Sequence, residues 1–198
     1  MRLKSNFFKR NTVVVAKQLL GKYLYRRING KVVCARITET EAYCGIKDKA
    51  CHSSKGLTER TKVMLGPPGH AYVYLVYGMY HCFNVVTREK GCPEAVLIRK
   101  VTIANYELGI INKGRKTQNH NSLFNIHNSN LLNGPGKLCR SFKIDRTLNG
   151  IDLCKSKELW IESANWRKGK KPFRIKMGKR IGVDYAGKWK DKMWRFYL

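Results

Sequence analysis

The sequence predicts an α+β fold, and three observations carry that expectation. Runs of β-branched and aromatic residues follow one another with helices inserted between them, not in the strict alternation of a βαβ protein. Asn29-Gly30 separates two such runs and is a strong two-residue hairpin signal. A second hairpin, unusually rich in tyrosine, spans 71–86 and turns near Gly78. At 198 residues the chain fits one domain, 1–198. A domain of that size buries about 70% of its unfolded surface without disulfides or metals.

Residues 11–20 read as a short helix, with Asn11 as N-cap and Gly21 as the stop. Residues 22–28 and 31–43 read as the first two strands. In the second, Val33, Ala35 and Ile37 alternate with Val32, Cys34 and Arg36, so both faces are expected to be covered. A loop follows over 45–56, then a helix over 58–65 capped by Thr58, then the turn Gly66-Pro67-Pro68-Gly69. Beyond the aromatic hairpin, 95–101 is a nearly all-apolar strand and 103–111 a helix. The Asn- and Lys-rich stretch 112–130 is expected to be a mobile insert. Gly134-Pro135-Gly136-Lys137 opens another helix, with Pro135 near its first position. Short strands at 158–162, 180–183 and 194–198 close the chain. It contains no internal repeat and no glycine-rich phosphate loop.

Forty Lys and Arg against 13 Asp and Glu give a formal net charge of +27. Such a surface selects anionic partners, nucleic acid first and an anionic membrane surface second. The seven cysteines are odd in number and show no Cys-x-x-Cys spacing, so a zinc site has little sequence support and reduced thiols are expected. No apolar run approaches the roughly 18 residues of a spanning helix, and the N-terminus lacks the pattern of a signal peptide. The expected location is the cytoplasm, around a bacterial nucleoid, or a eukaryotic nucleus, and not the exterior.

In so cationic a chain, Glu39 and Glu41 stand out. They lie in the strand Arg36-Ile37-Thr38-Glu39-Thr40-Glu41-Ala42-Tyr43, where alternation puts Glu39, Glu41 and Tyr43 on one face. A carboxylate beside a phenol suits a pocket for a flat, electron-poor ring, the acid activating water while the ring stacks. The same acids would also serve as edge-strand partners of surface lysines. A pair of acids also fits glycoside hydrolysis, but neighbours on one strand face, roughly 7 Å apart, approach a substrate from the same side. Tyr72 and Tyr74 share a face of the hairpin, and Tyr77, next to Gly78, projects from its tip, where an aromatic can enter a base stack. His52 follows the acidic strand across a loop. Asn84 and Arg99 sit inside apolar runs, and each needs a partner when buried. Arg99 is a candidate partner for Glu41.

Several ordered motifs resemble the alkyladenine (3-methyladenine) DNA glycosylase family. They are Glu39-Thr40-Glu41-Ala42-Tyr43, Tyr74-Leu75-Val76-Tyr77-Gly78-Met79-Tyr80, Asn133-Gly134-Pro135-Gly136-Lys137-Leu138-Cys139, Arg180-Ile181-Gly182-Val183 and Trp194-Arg195-Phe196-Tyr197. The resemblance runs over nearly the whole chain. It implies one domain around a curved antiparallel sheet, acting as a monomer, without cofactor or metal, on double-stranded DNA containing damaged bases. By that resemblance Glu41 is the general base that activates a water, and Arg99 and the carbonyl of Val183 help hold the water. Tyr43, His52 and Tyr74 receive the extruded base, Asn84 excludes guanine, and Tyr77 wedges into the gap. Lys137, Lys171 and Arg174 are candidate phosphate contacts from charge and position alone. Two rivals stay open: a basic nucleic-acid-binding protein without catalysis, and a carbohydrate-directed glycosidase.

Overall fold

Strand β2 (Lys31–Tyr43) is the axis of the molecule. In the computed structural model, which describes residues 1–102, 133–163 and 174–198, it lies between partners on both edges. Along one edge runs β5 (Glu94–Thr102). The other edge pairs first with β1 (Tyr23–Ile28) and then, from Glu39 to Glu41, with β8 (Arg195–Tyr197). The remaining strands are β3 (Ala71–Val76), β4 (Tyr80–Thr87), β6 (Leu159–Glu162) and β7 (Lys176–Gly178). All are antiparallel, in the order β3-β4-β5-β2-β1-β6, with β7 attached through β8, and the sheet is strongly curled. The β2–β5 register slips on both sides of Glu39. Such irregularities bend a strand and increase its twist.

Both turns expected from sequence form. At Asn29-Gly30 φ is +48° and +76°; at Tyr77-Gly78 it is +51° and +66°. Paired positive φ values match the right-handed twist of the flanking strands. Asn29 tolerates that region, whereas a tyrosine there costs about 1–2 kcal/mol. Tyr77 is also 87% exposed, so packing does not offset the strain.

Helix α1 (Ser5–Phe8) precedes α2 (Thr12–Leu19). The Asn11 side chain caps α2 by accepting from the backbone N–H groups of Val13 and Val14. Three consecutive valines are poor helix formers, so packing holds the helix. Val15, Ala16 and Leu19 are fully buried against the sheet, and Thr40 donates its hydroxyl to the Ala16 carbonyl at 2.9 Å. Helix α3 (Pro135–Ser141) packs on β4. A Cβ at Gly136 would come within 3.0 Å of Tyr80, so glycine there permits the close approach of helix and hairpin. One buried cluster joins Val15 and Leu19 to Ile37, Ile98, Leu138 and Phe196.

Two expected elements differ. Over 58–65 there is no α-helix, only a 3-10 turn at Lys62–Leu65. The Thr58 hydroxyl accepts from Thr61 N–H at 3.2 Å and the Thr61 hydroxyl donates to the Gly56 carbonyl at 3.0 Å, local bonds that replace a helical ladder. Residues 180–183 are not a strand: the short strand is β7, upstream. Gly182 at φ +73° breaks the extension, and Arg180 turns inward to a buried partner. The expected helix 103–111 and insert 112–130 lie outside the described residues.

Candidate active site

The bend of β2 delivers Glu41 to the centre of the sheet with none of its side chain exposed. Burying a carboxylate is costly unless it is paired and hydrogen-bonded. Here three donors meet it: Tyr43 OH at 2.8 Å and Arg99 Nη1 at 3.4 Å on Oε2, and the backbone N–H of Ile181 at 2.9 Å on Oε1. Burial raises the pKa of Glu41 above its ordinary value of 4.5, and Arg99, Ile181 N–H and Tyr43 OH only partly oppose it. Tyr43 itself is pushed far up, by burial and then by the Glu41 charge, so it stays a phenol and donates.

Above Glu41 opens a cavity of about 460 Å³ whose lining includes Tyr43, His52, Tyr74, Asn84, Arg99 and Val183. The volume is that of a small-molecule cleft. Tyr74 comes from β3, Asn84 from β4 and His52 from the 3-10 turn His52–Lys55. The His52 ring stands edge-on to Tyr74, centroids 4.5 Å apart, and its Nδ1 bonds the Tyr72 hydroxyl at 2.8 Å. Burial, helped by Arg60 and Lys55, pulls the His52 pKa down to about 4. The imidazole is therefore neutral at pH 7 and offers one donor and one acceptor nitrogen. Asn84 is buried, its amide donating to the Tyr72 carbonyl at 3.1 Å. Tyr77 stands at the rim of the cavity on the projecting hairpin.

One wall is tied down by a pair of fully buried side chains. Arg180 Nη1 and Nη2 meet Asp48 Oδ2 and Oδ1 at 2.5 and 2.8 Å. Asp48 also accepts from the N–H groups of Cys44 and Ala50, and Arg180 also donates to the carbonyls of Ala42 and Trp189. The guanidinium lies over the Tyr43 ring, 4.9 Å from its centroid. This pair joins the end of β2, the 45–56 loop and the segment that carries Ile181.

A family model described as methylpurine-DNA glycosylase (MPG) matches residues 6–198. The chain belongs to this family. Among its methylpurine-DNA glycosylase relatives is a protein of Desulfitobacterium hafniense, provisionally named a 3-methyladenine DNA glycosylase. It is 49% identical over all of this chain and 95% of its own length. Relatives with the same provisional name in Alkaliphilus oremlandii and Methanocella arvoryzae are 46% and 47% identical, over 100% and 98% of this chain and 96% and 91% of their own lengths.

In this member of the methylpurine-DNA glycosylase family, Tyr43, His52, Tyr74, Asn84, Arg99 and Val183 all line one cavity, with Tyr77 at its rim. Glu41 lies behind that lining, bonded to Tyr43, Arg99 and Ile181 of it. Lys137, on α3, and Arg174, just before β7, are exposed and stand apart from the cavity lining. Lys171 lies outside the described residues. Sequence reasoning missed Ile181 N–H, Tyr72 as the partner of His52, and the Asp48–Arg180 pair. The one signal for that pair was a lone acid in a basic loop. Among the described residues no group of three or more His, Cys, Asp or Glu side chains is placed to hold a metal ion, and no helix is long and apolar enough to cross a membrane.

Proposed function

We propose that the protein is a DNA repair glycosylase. It extrudes alkylated purines, 3-methyladenine and related lesions, from duplex DNA and hydrolyses their N-glycosidic bond, opening base excision repair. The observation that carries this reading is Glu41, a carboxylate without solvent exposure held by three donors beneath an aromatic cavity. Oε1 accepts only one of those donors among the described residues and keeps a lone pair for a water proton. Water attacks the sugar C1′, Glu41 takes its proton, and the bond to the purine breaks with its electrons going to the base. Arg99 and the carbonyl of Val183 orient that water.

A purine alkylated at a ring nitrogen already carries positive charge. It stacks well against the electron-rich rings of Tyr43 and Tyr74 and leaves without help from an acid. One carboxylate is therefore enough. His52 bonds the edge of the base, and Asn84 crowds the amino group of guanine. Tyr77 fills the gap in the duplex, where a wedge offsets the few kcal/mol of unstacking. Because the nucleophile is water, no Schiff base forms and the strand stays uncut. The protein acts as a monomer and a single domain.

The test is base release from methylated duplex DNA. Wild-type protein releases 3-methyladenine and leaves an uncut abasic strand. Glu41→Gln keeps the shape and binds lesion DNA within a few-fold, but loses the roughly 10²- to 10⁴-fold that a general base supplies. No release by well-folded wild-type protein, or undiminished release by Glu41→Gln, overturns the proposal.

A further inference from the structure

Glu39 has no role in the reaction just described, yet it is built into the same site. Its side chain is only 13% exposed and its Oε1 accepts from two arginines, Arg99 Nε at 3.1 Å and Arg195 Nη1 at 3.2 Å. Arg99 is thus gripped at Nε while its Nη1 reaches Glu41 at 3.4 Å. Arg195 is itself fixed. Its Nε donates to the Lys179 carbonyl at 2.8 Å, and its guanidinium lies over the Tyr197 ring. A Cβ on Gly178 would come within 3.0 Å of its Nη2. The four groups alternate in charge, Glu41, Arg99, Glu39, Arg195.

We propose that Glu39 is a positioning residue, which turns Arg99 edge-on to Glu41 and divides that arginine's charge between two carboxylates. This rests on Glu41 being the base in the proposed hydrolysis. A guanidinium left to one carboxylate forms a two-pronged pair. That pair most strongly favours the ionised acid and makes it a weaker base. With Nε taken by Glu39, Glu41 receives one long contact. The other groups facing Glu41 do not replace that control. They are the Tyr43 hydroxyl on its own strand, Tyr74 on β3, Cys82 on β4 and the Ile181 N–H, with Arg180 one ring away across Tyr43. Among the described groups that donate to Glu41, Arg99 alone brings a full positive charge.

The test compares single-turnover release of methylated purine by wild type, Glu39→Gln and Arg195→Gln across about pH 5 to 9. In Glu39→Gln the whole Arg99 charge turns to Glu41. The acid limb then moves down by about one pH unit, and the plateau rate falls roughly 3- to 10-fold as the base weakens. In Arg195→Gln, Glu39 draws more of the Arg99 charge and the acid limb moves up. Opposite shifts support the assignment, since a merely structural role lowers rates without moving the limbs apart. Unmoved limbs, or limbs moving together, in active variants overturn it and leave the proposed function standing. Absence of release by wild type overturns both. If Glu39→Gln does not fold, the direction of the Arg195→Gln shift decides.

Discussion

Asp48→Ala is the substitution whose cost the structure specifies most closely. It removes the carboxylate from a guanidinium of which no side-chain surface is exposed, and from two backbone N–H groups that it accepts. Stripping one partner from a buried ion pair costs about 3–5 kcal/mol, because the remaining charge stays buried and unpaired. The two orphaned N–H groups push the value to the upper part of that range. At about 2–4 °C per kcal/mol for a chain of this size, about 4–5 kcal/mol lowers the melting temperature by roughly 8–20 °C. Thermal unfolding followed by circular dichroism at pH 7 measures it. Replacing both members, Asp48→Ala with Arg180→Met, restores part of the loss, because an apolar side chain of similar length demands no counter-charge. A fall of less than about 1 kcal/mol in the single variant, or no recovery in the double one, would show that the pair does not anchor this wall. Base release should drop with it, because Arg180 adjoins the Ile181 N–H that holds Glu41.

The other predictions concern the hairpin, the pocket histidine and the thiols. Tyr77→Asn relieves strain at φ +51° without losing packing, so stability holds or rises by up to about 1 kcal/mol. Affinity for lesion DNA should fall roughly 5- to 150-fold, the worth of one stacking ring; unchanged affinity in a binding titration sinks the wedge role. Between the ordinary value of 6.5 and about 4, folded protein binds fewer protons at His52 than the unfolded chain. Its contribution to stability is therefore complete above 6.5 and lost as pH falls through that window. His52→Gln should flatten that part of the stability–pH curve, and denaturant titrations that coincide with wild type would refute it. Burial raises the pKa of Cys51, Cys82 and Cys139, so iodoacetamide at neutral pH should leave them unmodified until the chain unfolds. Labelling of Cys51 in native protein, read by mass spectrometry, would contradict the packing around it.

What the sequence announced, and what it hid, divides along chain distance. Asn11, Gly21, Asn29-Gly30 and Tyr77-Gly78 act through their own backbone dihedrals and neighbours, so their roles read directly. Glu41, Tyr43 and Arg99 were visible because strand alternation fixes shared faces and because a buried Arg needs a partner. The β8 pairing that brings Arg195 to Glu39, and the fold-back that brings Ile181 to Glu41, span 156 and 140 residues and leave no local trace. The same holds for Asp48 and Arg180. Arg180-Ile181-Gly182-Val183 looks like a strand because its β-branched Ile181 and Val183 alternate with Arg180 and Gly182, but a buried guanidinium and a left-handed glycine decide its path. At 58–65 two threonines bonding their own backbone outweighed a helical pattern.

The Ile181 N–H on Glu41 also has a consequence in time. Acid and donor are 140 residues apart. At about 5–20 residues per second, a ribosome making this chain produces the donor roughly 7–28 s after the acid. From the completion of the aromatic hairpin at Thr87 until then, the nascent chain carries hairpin and carboxylate without the backbone group that bonds the acid. Under the proposed hydrolysis, a partly made polypeptide that touches DNA is then chemically idle, and competence arrives with the segment around Ile181.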